Sequence, residues 1–328
     1  MRRVTLSLIR SKSLVQSMTE EHRVLVSCPL IHDSIDEYSD VFEENGVKFD
    51  VPDVDQQLDE DELLEIIDDY HGVIAGDDEF TRKVIESAKN LKVISKWGIG
   101  TDSIDEEAAR DNGVEVYNTP GAFDDEVGDV VVGYTVMLTR DLHKIDRFVR
   151  EGRWECPRGT SLADKTFGVV GVGSIGEAVV RRADALCAKV LGNDVQPISD
   201  DLKRNTSVES VEIGELLHRS DIVSLNCPLT PATERMIGYD ELEKLGGYLV
   251  NTARGELVKQ EELVEALRDG TLQGAALDVF EEEPLPADHP LTEMDNVILG
   301  SHNAQNTREA VQEVNDRAVE NLVEGLKE

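Results

Sequence analysis

From Arg23 onward, short apolar runs alternate with stretches whose apolar positions recur at helical spacing. The runs RVLVSC, VKFDV, GVIAG, KVISK and VEVYN read as strands, and helices are expected near residues 34–44 and 60–69 and from residues 81 and 104. Such β-α repetition implies a parallel sheet covered by helices. At Asn118, Thr119, Pro120 and Gly121 the alternation pauses, as a hinge between domains would. A long helical stretch (125–152) and a loop around 157–163 lead into a second β-α series, TFGVVGVGSIG, AKVLGND, DIVSLN, GYLVNT, GAALDVF and NVILGS, closed by a helical segment over 306–326. The two halves share the alternation but no residue-level repeat.

Length and composition refine this outline. A chain of 328 residues with 40% hydrophobic content can bury a large core and suggests two domains. No run approaches the roughly 18 uninterrupted apolar residues of a membrane span, and no secretory apolar core follows the N-terminus, so a cytoplasmic location is expected. Cys28, Cys156, Cys187 and Cys227 lie far apart and the histidines show no ligand spacing, so reduced thiols and no metal are expected.

Charge changes the picture more. Against 33 basic residues stand 68 acidic ones, a net charge of -35 spread over the chain. Such a surface repels phosphate backbones and anionic lipids, which argues against nucleic acid and membrane partners. Repulsion of this size is screened over about 3 Å at 1 M salt, so the composition reads as halophilic, an adaptation to a salty cytoplasm. Residues 1–22 read as an N-terminal extension expected to lack order. The first 19 carry Arg2, Arg3, Arg10 and Lys12 and no acid, so they are either a targeting piece or an extension ahead of a true start at Met18.

The candidate chemistry begins with Gly171, Gly173 and Gly176 in G-x-G-x-x-G spacing, after an apolar run and at the opening of a helical pattern. The first permits a tight turn, the second a close approach to pyrophosphate and the third close helix-strand packing, while the amides of Ser174 and Ile175 face the anion. Asp194 stands at the end of AKVLGND, where a carboxylate accepts from ribose hydroxyls and repels a 2′-phosphate, selecting NAD over NADP. Three later strands end in reactive groups: Arg254 after GYLVNT, Asp278 with Glu283 beyond GAAL, and His302 after NVILGS. A lone histidine there is as often structural, and a glutamate within EEE is usually a solvated face. Behind a dinucleotide fingerprint the three together supply a base for a hydroxyl proton, an acid to orient it and a fork for a carboxylate.

These motifs, KTFGVVGVGSIG, NTARGELV, GAALDVFEEEP and SHNA, resemble the D-isomer-specific 2-hydroxyacid dehydrogenase family, nearest its D-3-phosphoglycerate dehydrogenase branch, from about Arg23 to the end. The resemblance implies two Rossmann-like, doubly wound parallel-sheet α/β domains with a cleft between them: a substrate domain of residues 23–120 and 302–328, and an NAD-binding domain of 121–301. It also implies a homodimer through the NAD domain. Carried over residue by residue, it makes Arg254, Glu283 and His302 catalytic, sets Thr252, Ala253 and Asp278 against the cofactor, and gives the amides of Ile99 and Gly100, with Arg254, the substrate carboxylate. Lys96 falls where a cation for a distal phosphate is expected, although a lysine lacks the bidentate fork of arginine. Asp129 replaces the usual glutamate in DEVGD, and SHNAQN departs from the common residues after the histidine. The chain ends with its closing helix, so serine feedback through a regulatory domain is not expected. The expected reaction is NAD-linked oxidation of a D-2-hydroxy acid, 3-phosphoglycerate being favoured. The alternatives are a glyoxylate or hydroxypyruvate reductase using the same site, or a corepressor-like protein that senses NADH.

Overall fold

The computed structural model describes residues 21–54 and 56–327. The expectations for residues 1–20 lie outside them. The first sheet contains β1 (His22–Val26), β2 (Val47–Asp50), β3 (Gly72–Ala75), β4 (Val93–Lys96) and β5 (Glu115–Tyr117), all parallel, in the order β2-β1-β3-β4-β5. The second contains β6 (Thr166–Val170), β7 (Lys189–Asn193), β8 (Glu209–Ser210), β9 (Ile222–Leu225), β10 (Tyr248–Asn251), β11 (Gly274–Leu277) and β12 (Val297–Leu299). These are also parallel, in the order β12-β11-β10-β9-β6-β7-β8. Both are doubly wound α/β sheets whose order reverses once, between β1 and β3 in the first and between β6 and β9 in the second. The crevice outside the carboxyl ends of the strands at such a reversal is where ligands bind.

Strands β3, β4, β9 and β11 are buried along their whole length, which is why they read as near-continuous apolar runs. Helices begin where the sequence offers caps. Asp59 accepts from the Glu62 amide at 2.8 Å while Glu62 accepts from the Asp59 amide at 3.1 Å, a reciprocal cap on Glu60–Ile66. Two details depart from the sequence reading. The first strand begins at His22, one residue early. The long helical stretch is two helices, Asp124–Thr139 and Leu142–Arg150, because Asp141 turns into the left-handed region at φ 50°. Among the described residues no helix is long and apolar enough to cross a membrane.

Helix Asp124–Thr139 packs on helix Ser174–Asp184 and on β10, β11 and β12, whereas the last helix, Arg308–Gly325, returns to β3, β4 and β5. One apolar core runs from Val26, Ile74 and Trp97 through Phe123 and Val131 to Val169 and Val250. Buried polar bonds fix the returning helix. Trp97 Nε1 donates to Asn315 Oδ1 at 2.7 Å, Asn315 Nδ2 donates to Ser34 Oγ at 2.9 Å, and Ser95 Oγ donates to the Ala318 carbonyl at 2.8 Å. Asn315→Ala leaves the buried indole N–H without an acceptor. It is expected to cost about 1–3 kcal/mol, read as a lowered denaturant midpoint at unchanged slope.

Candidate active site

The glycine-rich loop is built by close approach. Gly171 has φ 85°, and a Cβ there would meet the backbone of Asn226 and Cys227 at the neighbouring strand end. A Cβ on Gly176 would collide with the Gly171 carbonyl, whereas Gly173, which caps helix Ser174–Asp184, faces open space. The loop therefore brings a helix N-terminus, with its free amides and positive dipole end, to the sheet reversal. Asp194 closes the far side: its carboxylate accepts from the Val172 amide at 2.6 Å and the Gln196 amide at 2.7 Å. Past β10, the Thr252 hydroxyl is shut off from solvent and has no partner among the described residues, a donor left for a bound group to satisfy. The residues present thus fit a dinucleotide. The Ser174 side chain itself is taken by Asp124 at 3.0 Å, so any contribution of Ser174 to an anion is through its amide.

Strand ends bring the polar residues together. His302 Nδ1 lies 2.8 Å from Glu283 Oε2, and Glu283 Oε1 accepts from the Phe280 amide at 2.8 Å. A carboxylate only accepts, so Nδ1 carries the proton and Nε2 is left free for a ligand. Burial by itself lowers the His302 pKa, but the hydrogen bond and charge of Glu283, with the charge of Asp77, outweigh it, and the imidazole titrates above its ordinary value. Arg254 lies close enough for its charge to act on His302, lowering its pKa against Glu283. Its Nε donates to Asp102 Oδ2 at 3.0 Å and its Nη1 to the Ala253 carbonyl at 2.8 Å, leaving Nη2 over Gly100, where any Cβ would collide with it. Burial lowers the Arg254 pKa and Asp102 more than restores it, so this guanidinium stays charged.

The loop beneath Arg254 is pinned from behind. Thr119 exchanges hydrogen bonds with the Gly98 backbone, and Asn118 Nδ2 donates to the Ile99 carbonyl at 2.8 Å. Among the described residues the Ile99 and Gly100 amides donate to no protein acceptor, which suits them to a carboxylate held beside Arg254.

Asp278 has a task the sequence did not reveal. It is 1% exposed, and its carboxylate accepts from Tyr134 Oη at 3.1 Å and from the amides of Asn303 and Ala304 at 2.9 and 2.8 Å. Its carbonyl accepts from the His302 amide at 2.7 Å. The carboxamide contact implied by the resemblance would share an acid already bound by three donors. His302 itself sits at φ 54°, a left-handed conformation that costs a non-glycine residue roughly 1–2 kcal/mol. The turn held by Asp278 imposes it.

Lys96 departs most from expectation. It is 3% exposed, pairs with Asp77 Oδ1 at 3.0 Å and donates to the Trp97 carbonyl at 3.0 Å. The cation assigned to a distal phosphate is therefore already neutralised. Asp77, Asp102 and Gln56, whose Nε2 lies 3.4 Å from Glu283 Oε2, are site residues that the sequence reading passed over. Asp77 follows β3 as directly as His302 follows β12, so the same strand-end rule would have found it.

Comparison with known proteins agrees with this geometry. The profile of the D-isomer specific 2-hydroxyacid dehydrogenase NAD binding domain matches residues 132–304. A glyoxylate reductase of Thermofilum pendens is 41% identical over 258 residues, which cover 76% of each chain. A D-3-phosphoglycerate dehydrogenase of Methanocaldococcus jannaschii is 40% identical over 294 residues, covering 88% of this chain and 54% of that longer protein. The crystal structure of a glyoxylate reductase from Paecilomyes thermophila superposes with a TM-score of 0.83 at 27% identity, covering 94% of this chain and 96% of its own. The chain belongs to the D-isomer specific 2-hydroxyacid dehydrogenase family and binds NAD.

Proposed function

We propose that the protein interconverts a small, unphosphorylated D-2-hydroxy acid and its 2-oxo acid, with glyoxylate or hydroxypyruvate as the acid reduced. In this reading segments 23–120 and 302–328 supply the substrate side of the cleft and 121–301 the NAD side. The observation that carries it is the His302–Glu283 pair, which leaves Nε2 free opposite a fixed guanidinium. Arg254 and the amides of Ile99 and Gly100 hold the carboxylate and turn the 2-oxo group toward His302. NADH, which the Gly173 helix N-terminus and Asp194 would hold, would supply a hydride, two electrons with one hydrogen. His302 gives its Nε2 proton to the carbonyl oxygen, and the neutral imidazole keeps its Nδ1–H on Glu283. In reverse, the same nitrogen accepts the hydroxyl proton. The 3-phosphoglycerate reading draws support from the 40% identical relative, but Lys96, its expected phosphate partner, is paired with Asp77.

We further infer a cytoplasmic homodimer working at high salt. Trp154, 86% exposed, and the half-exposed Val149 on the adjoining helix give the NAD side an apolar projection of the kind a second copy covers. The net charge of -35 supports both the salt requirement and the lack of nucleic acid or anionic membrane partners.

His302→Ala should lower kcat/KM for glyoxylate reduction by about 10²–10⁴-fold, with NADH binding retained in a fluorescence titration; turnover near that of the parent refutes the assignment. Reduction needs the imidazolium, so its rate is full below the His302 pKa and falls as pH rises through it, while oxidation rises over the same range. Because that pKa is raised, the fall comes at higher pH than for an ordinary histidine, and Glu283→Gln should move the midpoint of the kcat/KM profile downward. Asp194→Ala should narrow the preference for NADH over NADPH on the order of tenfold, about 1.4 kcal/mol, measured as a ratio of kcat/KM values. Thermal melts from about 0.1 to about 3 M KCl should show a midpoint that climbs with salt as repulsion is screened; a flat response counts against the salt requirement.

A further inference from the structure

The loop between β3 and helix Arg82–Ser87 lies at the reversal of the first sheet, beside the end of β1, where that sheet's own ligand crevice opens. Two successive aspartates in it face opposite ways. Asp78 is wholly buried and ties the loop down: it accepts from Ser27 Oγ at 2.6 Å, from the Leu58 amide at 2.7 Å and from the Gly76 amide at 2.9 Å. Asp77 faces the cleft, part-exposed, with one oxygen on the buried Lys96 at 3.0 Å. Lys96 Nζ in turn lies against Gly98, two residues from the Gly100 backbone that carries Arg254.

We propose that Asp77 is a specificity residue, placed to accept a hydrogen bond from an uncharged distal hydroxyl of the substrate and to repel a distal phosphate. The proposal rests on the 2-oxo acid reading above, with the carboxylate held by Arg254 and the Ile99 and Gly100 amides. An acid with its reacting carbon at His302 then extends any third-carbon substituent toward the β3 and β4 ends. There the Asp77–Lys96 pair offers an acceptor oxygen and no net positive charge, and the dianion of a phosphate monoester meets a fixed carboxylate. Burial works against ionisation of Asp77, but Lys96, then Arg254 and His302, hold its carboxyl down at about 2, so it stays charged wherever the enzyme works. The same contributions show that Asp77 shares one electrostatic field with both catalytic charges. Asp78 anchors the loop backbone through three bonds, and the Lys96 pair holds the Asp77 carboxylate on it.

The test is a ratio of kcat/KM values, hydroxypyruvate over 3-phosphohydroxypyruvate, measured with NADH at one fixed salt concentration for the parent, Asp77→Asn and Asp77→Ser. The parent is expected to favour hydroxypyruvate by about tenfold or more, and both variants to shrink that ratio by about tenfold, through KM for the phosphorylated acid. Inorganic phosphate, added to the hydroxypyruvate assay, should inhibit the variants at lower concentration than the parent. A parent that prefers the phosphorylated acid, or variants with an unchanged ratio, overturns the proposal and leaves the reaction intact. A parent that reduces neither acid, nor glyoxylate, overturns the reaction itself. Should both variants fail to fold, a parent ratio that favours 3-phosphohydroxypyruvate still overturns the proposal.

Discussion

The buried carboxylate of Asp278 is the interaction on which the site depends. It satisfies the Asn303 and Ala304 amides while its own carbonyl takes the His302 amide, so the turn after β12 has one arrangement. Each of those amides, left unpaired in the interior, would cost about 1–3 kcal/mol. That is enough to hold His302 in a left-handed backbone conformation it would otherwise avoid, and that conformation sends the imidazole to Glu283. The Tyr134 hydroxyl adds a tie to helix Asp124–Thr139, and Gly300 leaves room for both, since a Cβ there would collide with Asp278 Oδ1 and Tyr134 Oη. His302 is thus positioned by the bonds its own turn makes to the Asp278 carboxylate and carbonyl, with little left to side-chain chance.

A second consequence is the alternation of charge across the cleft. Arg254 is flanked by Asp102, Lys96 by Asp77 and His302 by Glu283. Each cation meets an acid, and Lys96, buried and bonded to the Trp97 carbonyl as well, is fully taken up within the protein, whereas Arg254 Nη2 and His302 Nε2 have no such partner among the described residues. Such pairing limits the cost of partial burial, because an unpaired charge taken from water is penalised far more than a paired one. It also fixes direction: Asp102 takes Arg254 Nε and the Ala253 carbonyl takes Nη1, so Nη2 is the nitrogen that faces the Gly100 loop.

The β-α alternation was legible because strands buried on both faces announce themselves as apolar runs, and the glycine spacing because only glycine tolerates a Cβ-free approach such as Gly176 makes to the Gly171 carbonyl. Arg254 and His302 were legible as polar residues just past such runs, and Glu283 only through the motif around it, since by itself it sits in an acidic run beyond Asp278. The rest was hidden for identifiable reasons. The helix break at Asp141 depends on one backbone angle that Arg140 and Asp141 do not announce, and β8 is a two-residue edge strand defined only by pairing with β7. The Asp77–Lys96 pair joins residues 19 apart, one past the end of β3 and one at the end of β4, so Lys96 alone read as a free cation and Asp77 was passed over. In a chain with 68 acids, one more aspartate carries no signal until its partner is seen.

That acidity sets a problem for an enzyme whose cofactor and substrate are both anions. At low ionic strength a net charge of -35 opposes their approach over roughly 10 Å or more. At the salt proposed here the repulsion shrinks to about the width of a water molecule, and the surface no longer decides what enters. Groups within the cleft are screened much less, because salt does not occupy the space between Arg254 and Gly100 or between Lys96 and Asp77. On that reading, discrimination would pass to short-range partners: the helix N-terminus at Gly173 toward a pyrophosphate, Asp194 toward a ribose and Arg254 toward a carboxylate. Selectivity built from buried, paired charges survives the medium that removes the long-range field, which is why so acidic a chain can keep an anion site.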